Sequence, residues 1–165
     1  MLALPSPRQP PLRLLLLAAP LIFVAHFVEE APGVVAWFNA HVDRGITPSL
    51  FWTVNFTALG ITIAVVLLEW LSPTALSAGV AIAWLSFLML ANAVLHLTGA
   101  LVDRAYVPGL VTALLLYLPF YGWVVARAIQ SRRVPRDAVA AATLLGALPM
   151  LAHGYLILFR GGRLF

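Results

Sequence analysis

The sequence has no cysteine, no lysine and few charged residues of any kind. The absence of cysteine excludes disulfides, thiolate metal sites and cysteine nucleophiles, and it leaves the redox compartment open. Charged residues make up 10% of the 165 residues and hydrophobic residues 62%, whereas roughly a quarter of a typical soluble domain is charged. A water-soluble fold of this composition could not cover its surface with polar groups. The composition therefore predicts a protein whose outer surface meets lipid.

The basic residues are ten arginines, and the formal net charge is only +4. They are scattered along the chain, with no basic stripe and no interleaved aromatic residues, so we do not expect nucleic-acid binding. Sparse arginines near the ends of apolar runs are typical of the signals that orient membrane helices.

Five apolar runs divide the chain, and each is long enough to cross a bilayer with its flanks. We predict spans around Leu14–Val28, Ser49–Leu71, Thr74–Val102, Val107–Ala128 and Asp137–Phe159. The runs are continuous rather than alternating, which argues against membrane strands, and the short links favour antiparallel neighbours. No small-residue cleavage site follows the first run, so we interpret it as a span and not as a signal peptide.

The predicted fold is all-α, an integral membrane bundle of about five transmembrane helices. Gly33–Asp43 carries apolar residues at roughly helical spacing beside Trp37, which predicts a short helix at the membrane interface after the first span. A single transmembrane domain at 12–160 would lie between an irregular, proline-rich segment at 1–11 and a short tail at 161–165.

The arginines also predict the orientation in a cell membrane. The side that holds the N-terminus and the link between the fourth and fifth spans carries six: Arg8, Arg13, Arg127, Arg132, Arg133 and Arg136. The opposite side carries four: Arg44, Arg104, Arg160 and Arg163. Because the cluster around Arg132 lies in a short loop, where the positive-inside rule is most reliable, we predict a cytoplasmic N-terminus and an outside C-terminus.

Polar and ionisable residues gather at one end of these spans. Five alternating spans bring the following residues to the same membrane face, whichever way the chain inserts: His26, Glu29, Glu30, Asn55, Asn92, His96 and His153. Two groups have helical spacing, i, i+3, i+4 at residues 26–30 and i, i+4 at residues 92–96, so each group shares one helix face. Ionisable residues at membrane depth are costly and usually mark function. We expect these side chains to surround a shared cavity.

Imidazole and carboxylate groups are ligands that suit zinc, iron or manganese. The sequence predicts a divalent metal held by His26, Glu30, His96 and His153. Glu29 is the candidate catalytic base on a metal-bound water. Asn55 and Asn92 are candidates to hold a substrate carbonyl or to orient a ligand. The substrate we expect is a small or lipid-like molecule, with the lipid bilayer as the surrounding partner.

The stretch His26-Phe27-Val28-Glu29-Glu30 reads H-x-x-E-E. Together with residues 92–96, the Tyr106-Val107-Pro108-Gly109 entry to the fourth span and His153, it resembles the HXXEE family over about Leu14 to Tyr155. That family groups small multi-pass membrane proteins without a settled biochemical role. The resemblance therefore implies a membrane protein with a polar site, and it implies no particular substrate or metal. Zinc-protease motifs have a second histidine where Glu30 stands, so we do not predict proteolysis.

Three other functions stay open at this point. Glu29 or Glu30 could transfer protons without a metal, assisted by a histidine. A proton-coupled carrier or binding protein is the second, and five spans would then favour a homo-oligomer. The third is a structural membrane protein, in which the polar groups only form hydrogen bonds between helices. Outside the cluster, we expect His41 to face water or lipid headgroups and Asp103-Arg104 to be a solvated pair in a loop.

Overall fold

The computed structural model of the chain describes residues 10–163. Most of the predicted irregular segment, at 1–9, and the last two residues of the predicted tail lie outside the described residues. Within residues 10–163 every regular element is a helix, and five helices are long and apolar enough to cross a membrane. The predicted all-α architecture with five spans is confirmed, and the five apolar helices indicate a multi-pass membrane protein.

The spans lie close to their predicted positions. They comprise Leu12–Glu30, Pro48–Leu71, Ala75–Asp103, Leu110–Gln130 and Arg136–Arg160. The interfacial helix covers Val34–His41. The fourth span begins three residues later than predicted, because Val107 to Gly109 form a turn in which Gly109 has a φ of 95°. That turn becomes part of the site described below.

Proline interrupts the first span but not the fifth. The first span consists of helices Leu12–Leu16 and Ala19–Glu30. Pro20 lacks the N–H that would bond to the carbonyl of Leu16, and this loss accounts for the turn between the two helices. Pro149 lies inside the continuous helix Arg136–Arg160, one turn before His153.

Two spans contain a π-helical segment. In the third span, Ser86–Ala91 separates the α-helices Ala75–Leu85 and Asn92–Asp103. In the fourth, Ala113–Tyr117 separates Leu110–Thr112 from Leu118–Gln130. A π segment shifts the angular position of the residues on either side of it, and such segments are frequent at functional sites. Here they set the faces on which Asn92, His96 and Tyr117 lie.

Asp103 holds the interfacial helix against the third span. Its Oδ2 accepts a hydrogen bond from Trp37 Nε1 at 2.7 Å, and its Oδ1 lies 3.0 Å from His41 Nε2. The Trp37 ring packs on Gly99, where an added Cβ would come within 2.8 Å of the ring. Asp103 and His41 are therefore partners of each other, in place of the solvated positions expected from the sequence.

The opposite membrane face has its own buried carboxylate. Glu69 is fully buried, accepts a hydrogen bond from Ser77 Oγ at 2.6 Å and forms an ion pair with Arg133. This pair connects the link between the fourth and fifth spans to the end of the second span. Glu69 has an arginine as its ion-pair partner. The buried carboxylate at the other membrane face, Glu30, faces two histidines instead.

Candidate metal centre

His26, Glu30 and His96 form a buried cluster at the end of the first and third spans. The two histidines are each 1% exposed and Glu30 is 8% exposed. His26 Nε2 lies 3.4 Å from Glu30 Oε1, and His96 Nε2 lies 3.1 Å from the same oxygen. One potential ligand atom of each residue lies within 4.8 Å of the others, so the group could hold a metal ion.

The spacing of these three atoms fits a tetrahedral metal. Two ligand atoms that are each about 2.0–2.1 Å from a tetrahedral zinc lie roughly 3.3 Å apart, which is close to the two nitrogen–oxygen distances in the cluster. Neither Nε2 atom makes a hydrogen bond to any described residue. Buried polar atoms are normally paired, and here two buried imidazole nitrogens face one carboxylate oxygen, an arrangement in which a cation or a proton could lie between them. Two histidines and one carboxylate leave a fourth position open, as in catalytic zinc sites.

Hydrogen counting identifies which nitrogen of His26 is free. His26 Nδ1 lies 2.8 Å from Thr112 Oγ1, which itself donates to Glu29 Oε2 at 2.5 Å. A threonine hydroxyl has one hydrogen, and here a carboxylate takes it, so the hydroxyl accepts from His26 Nδ1–H. In a neutral imidazole the lone pair then lies on Nε2, the atom that faces Glu30. In this tautomer His26 Nε2 is available as a metal ligand.

Glu29 holds Thr112, the hydrogen-bond partner of His26, in position. Its carboxylate accepts four hydrogen bonds, from Tyr106 Oη at 2.6 Å, Val111 N at 3.0 Å, Thr112 N at 2.7 Å and Thr112 Oγ1 at 2.5 Å. Two of the donors are free N–H groups at the start of the fourth span, a position that favours negative charge. The hydrogen bond to Glu29, together with burial, raises the pKa of Tyr106 above its ordinary value. Glu29 thus joins the first span to the fourth.

Gly109 closes the cluster from the side of the fourth span. A Cβ at this position would lie 2.7 Å from His96 Cε1, 2.9 Å from Glu30 Cγ and 3.0 Å from His26 Cε1. The backbone at Gly109 is also left-handed, with a φ of 95°. Both the space and the conformation therefore require glycine. Tyr117 covers another side, fully buried with its ring centroid 4.1 Å from that of His26.

A cavity of about 210 Å³ adjoins the cluster. Of the residues singled out from the sequence, those that line it are His26, Glu30, Asn55, Asn92, His96 and His153. Most of the remaining wall is apolar, including Phe23, Phe51, Leu88 and Met150. Asn92 Oδ1 is buried without a hydrogen-bond partner among the described residues, whereas the Asn55 amide donates to the Phe51 carbonyl of its own helix at 3.0 Å. Asn92 Oδ1 is therefore available to a molecule in the cavity.

His153 lies apart from the three clustered residues. It lines the same cavity, but it is exposed and its nearest aromatic neighbour is Phe38, with ring centroids 6.3 Å apart. The group of side chains close enough to share one ion contains His26, Glu30 and His96. The prediction of His153 as a fourth ligand stays a prediction, as does the prediction of Glu29 as a base.

Sequence reasoning missed Thr112, Gly109 and Tyr117 as parts of the site. Threonine, glycine and tyrosine are common in membrane helices, so their identity alone gives no signal. The apolar runs place Pro108-Gly109 at the start of the fourth span and give the glycine no part in the site. Its distance from the histidines depends on how the first, third and fourth spans pack.

The comparisons with known proteins agree with the H-x-x-E-E signature. Residues 17–124 match the family described as "Protein of unknown function with HXXEE motif". No curated protein and no solved structure is significantly similar to the chain. The matched region contains the whole buried cluster, the turn at Gly109 and the Glu29–Thr112 hydrogen bonds. On this match, which covers more than half of its length, the chain belongs to the HXXEE-motif family.

Proposed function

We propose that the chain binds a divalent metal, zinc or else iron or manganese, inside the membrane through His26, Glu30 and His96. The observation that carries the proposal is the convergence of two buried imidazole nitrogens on one buried carboxylate oxygen, at 3.4 and 3.1 Å. Imidazole and carboxylate ligands match these metals. In a metal-free cluster with neutral imidazoles, the lone pair of His26 Nε2 would face the carboxylate oxygen of Glu30.

The proposed activity is a metal-assisted reaction on a small or lipid-like substrate. Three protein ligands leave a position at which a bound metal could activate water or polarise a substrate carbonyl. The adjoining cavity would receive the substrate, and the unpaired Asn92 Oδ1 would accept a hydrogen bond from it. For Glu29, four hydrogen bonds support a positioning role through Thr112 and His26 in preference to a role as base.

The test is the metal content of the detergent-purified protein, produced without a histidine tag and measured by mass spectrometry. We expect close to one metal per chain in the wild type and none in a His26→Ala, Glu30→Ala variant. His41→Ala is the matched control, because His41 lies outside the cluster, and it should keep its metal. His153→Ala separates the three-ligand site from the four-ligand site predicted from the sequence. No metal in the wild type after incubation with zinc, iron and manganese would refute the proposal.

Metal-free acid–base chemistry is the second candidate, and the same oxygen atom supports it. A proton shared between Glu30 Oε1 and one of the two imidazoles would give that imidazole nitrogen a partner without a metal. Under this alternative, a strong chelator leaves any activity intact and Glu30→Gln abolishes it. Under the metal proposal, the chelator abolishes activity and readdition of the metal restores it.

A further inference from the structure

Two further hollows adjoin the cavity beside the cluster. Between the second and third spans lies a space of about 340 Å³, here called the groove, which shares Val54, Ala58 and Phe87 with the cavity wall. On the other side lies a space of about 530 Å³, here called the vestibule, which shares Phe38, His153 and Ile157 with the cavity. The vestibule, the cavity and the groove are therefore neighbours with common walls.

The groove has an apolar surface that faces the bilayer. The hydroxyls of Thr53 and Thr57 donate to carbonyls of their own helix at 2.9 and 2.8 Å, and Trp84 Nε1 donates to Thr62 Oγ1 at 2.9 Å. These polar groups are satisfied within the protein, so the groove offers a ligand mainly apolar contact. Its wall from Val54 to Ile61 extends about 10 Å along the second span, away from the face where the cluster lies.

The vestibule carries charged side chains on a partly apolar wall and lies at the membrane face where the first span ends. Its charged residues are Asp43, Arg44 and Arg163. Asp43 forms an ion pair with Arg163, whereas Arg44 has no ionic partner among residues 10–163. One positive charge is thus uncompensated there. A divalent metal bound by two neutral imidazoles and one carboxylate would add a second net positive charge in the cavity.

We propose that this site takes a single-chain amphiphile with an anionic head group, the tail lying in the groove and the head group in the cavity beside the metal cluster. The head group would reach the cavity through the vestibule, past His153. The inference rests on the proposed function, because it assigns the groove to the substrate of that site. Charge complementarity selects the head group, and the adjoining apolar groove at bilayer depth selects the tail.

Photo-crosslinking tests the proposal on the full-length protein in vesicles. The probe is a long-chain fatty acid with a diazirine near the end of its tail, and labelled peptides are identified by mass spectrometry. We expect labelling concentrated on the groove residues Ile61, Trp84 and Phe87. Unlabelled fatty acid should compete, and the corresponding fatty alcohol should compete poorly. Equal competition by the alcohol would overturn the assignment of an anionic head group.

Two variants of the second span sharpen this test. Ala58 lies in the wall common to cavity and groove, so Ala58→Phe should abolish labelling in the groove. Ala64 is exposed on the same helix and lines neither space, so Ala64→Phe should leave labelling unchanged. Uniform labelling of all outward-facing residues in the wild type would overturn the proposal, and this result needs no folded variant.

Metal content measured on the same samples separates the two proposals. Uniform labelling with a full complement of metal refutes the amphiphile and leaves the metal site standing. Groove labelling without any metal refutes the metal site and, with it, the assignment of the anionic head group to the cavity, and leaves the groove as a binding site for the tail alone.

Discussion

At the level of single residues, the orientation of one imidazole ring depends on one hydroxyl. Thr112 Oγ1 gives its hydrogen to Glu29 and accepts from His26 Nδ1, which leaves Nε2 to face Glu30. Removing the hydrogen-bond partner that fixes the tautomer of a metal-binding histidine usually lowers metal affinity by roughly ten- to a hundred-fold. None of this follows from the H-x-x-E-E pattern, which identifies the two glutamates without distinguishing their roles.

Replacing Thr112 with Val removes the hydroxyl at almost constant shape. We expect metal affinity to fall by roughly 10- to 100-fold, because His26 loses the partner that fixes its tautomer. Thr112→Ser keeps the hydroxyl and should bind metal nearly as well as the wild type. Competition with a chelator of known affinity measures both. Equal affinities for Val and Ser at this position would contradict the role of the hydroxyl.

Gly109→Ala tests the packing of the turn on the cluster. A methyl group at this position meets His26, Glu30 and His96 within 3.0 Å, and a left-handed φ adds strain of about 1–3 kcal/mol. We expect the variant to lose metal and to melt at a lower temperature in detergent. Gly79→Ala is the control, since no atom lies within 4 Å of its Cβ and alanine favours a helix. A Gly109→Ala protein with full metal content would show that the turn does not press on the cluster.

At the level of elements, the interfacial helix forms part of the cavity wall and is tied down by charge. Val34, Trp37 and Phe38 line the cavity, and Asp103 holds Trp37 and His41. His41 Nδ1 faces the Trp37 carbonyl at 2.8 Å and its Nε2 faces the Asp103 carboxylate. Both neighbours only accept hydrogen bonds, so this arrangement requires the doubly protonated ring. Although burial alone would lower it, the Trp37 carbonyl and Asp103 raise the pKa of His41 above its ordinary value.

A raised folded-state pKa gives the stabilisation by His41 a definite sign. Its contribution is complete below the unfolded pKa of about 6.5 and is lost as the pH rises through the higher folded value. We expect the wild type to melt at a higher temperature than His41→Ala at acidic pH, with the difference shrinking on alkalinisation. Thermal melting in detergent across the pH range measures it. A difference that grows with pH would contradict this account.

At the level of the whole molecule, an odd number of spans would place residues 10 and 163 on opposite sides of the membrane. Six arginines against four predict that the N-terminal side is cytoplasmic, and the metal cluster would then open toward the outside. We expect a reporter that is active only outside to work when fused to the C-terminus. The same reporter inserted in the link at 131–135 should be inactive. Activity of a cytoplasm-only reporter at the C-terminus would reverse the orientation.

The sequence by itself determined the number and the approximate bounds of the spans, the interfacial helix and the face at which the polar residues meet. These properties depend on hydrophobic length and on helical spacing, which are local. Which residues lie close enough to share an ion, the hydrogen bonds of Glu29 and the need for Gly109 were decided only by the tertiary structure. They depend on how the first, third and fourth spans pack and on the angular shift that the π segments introduce. Distances of 3 Å between side chains on different helices are not encoded in the spacing along any one of them.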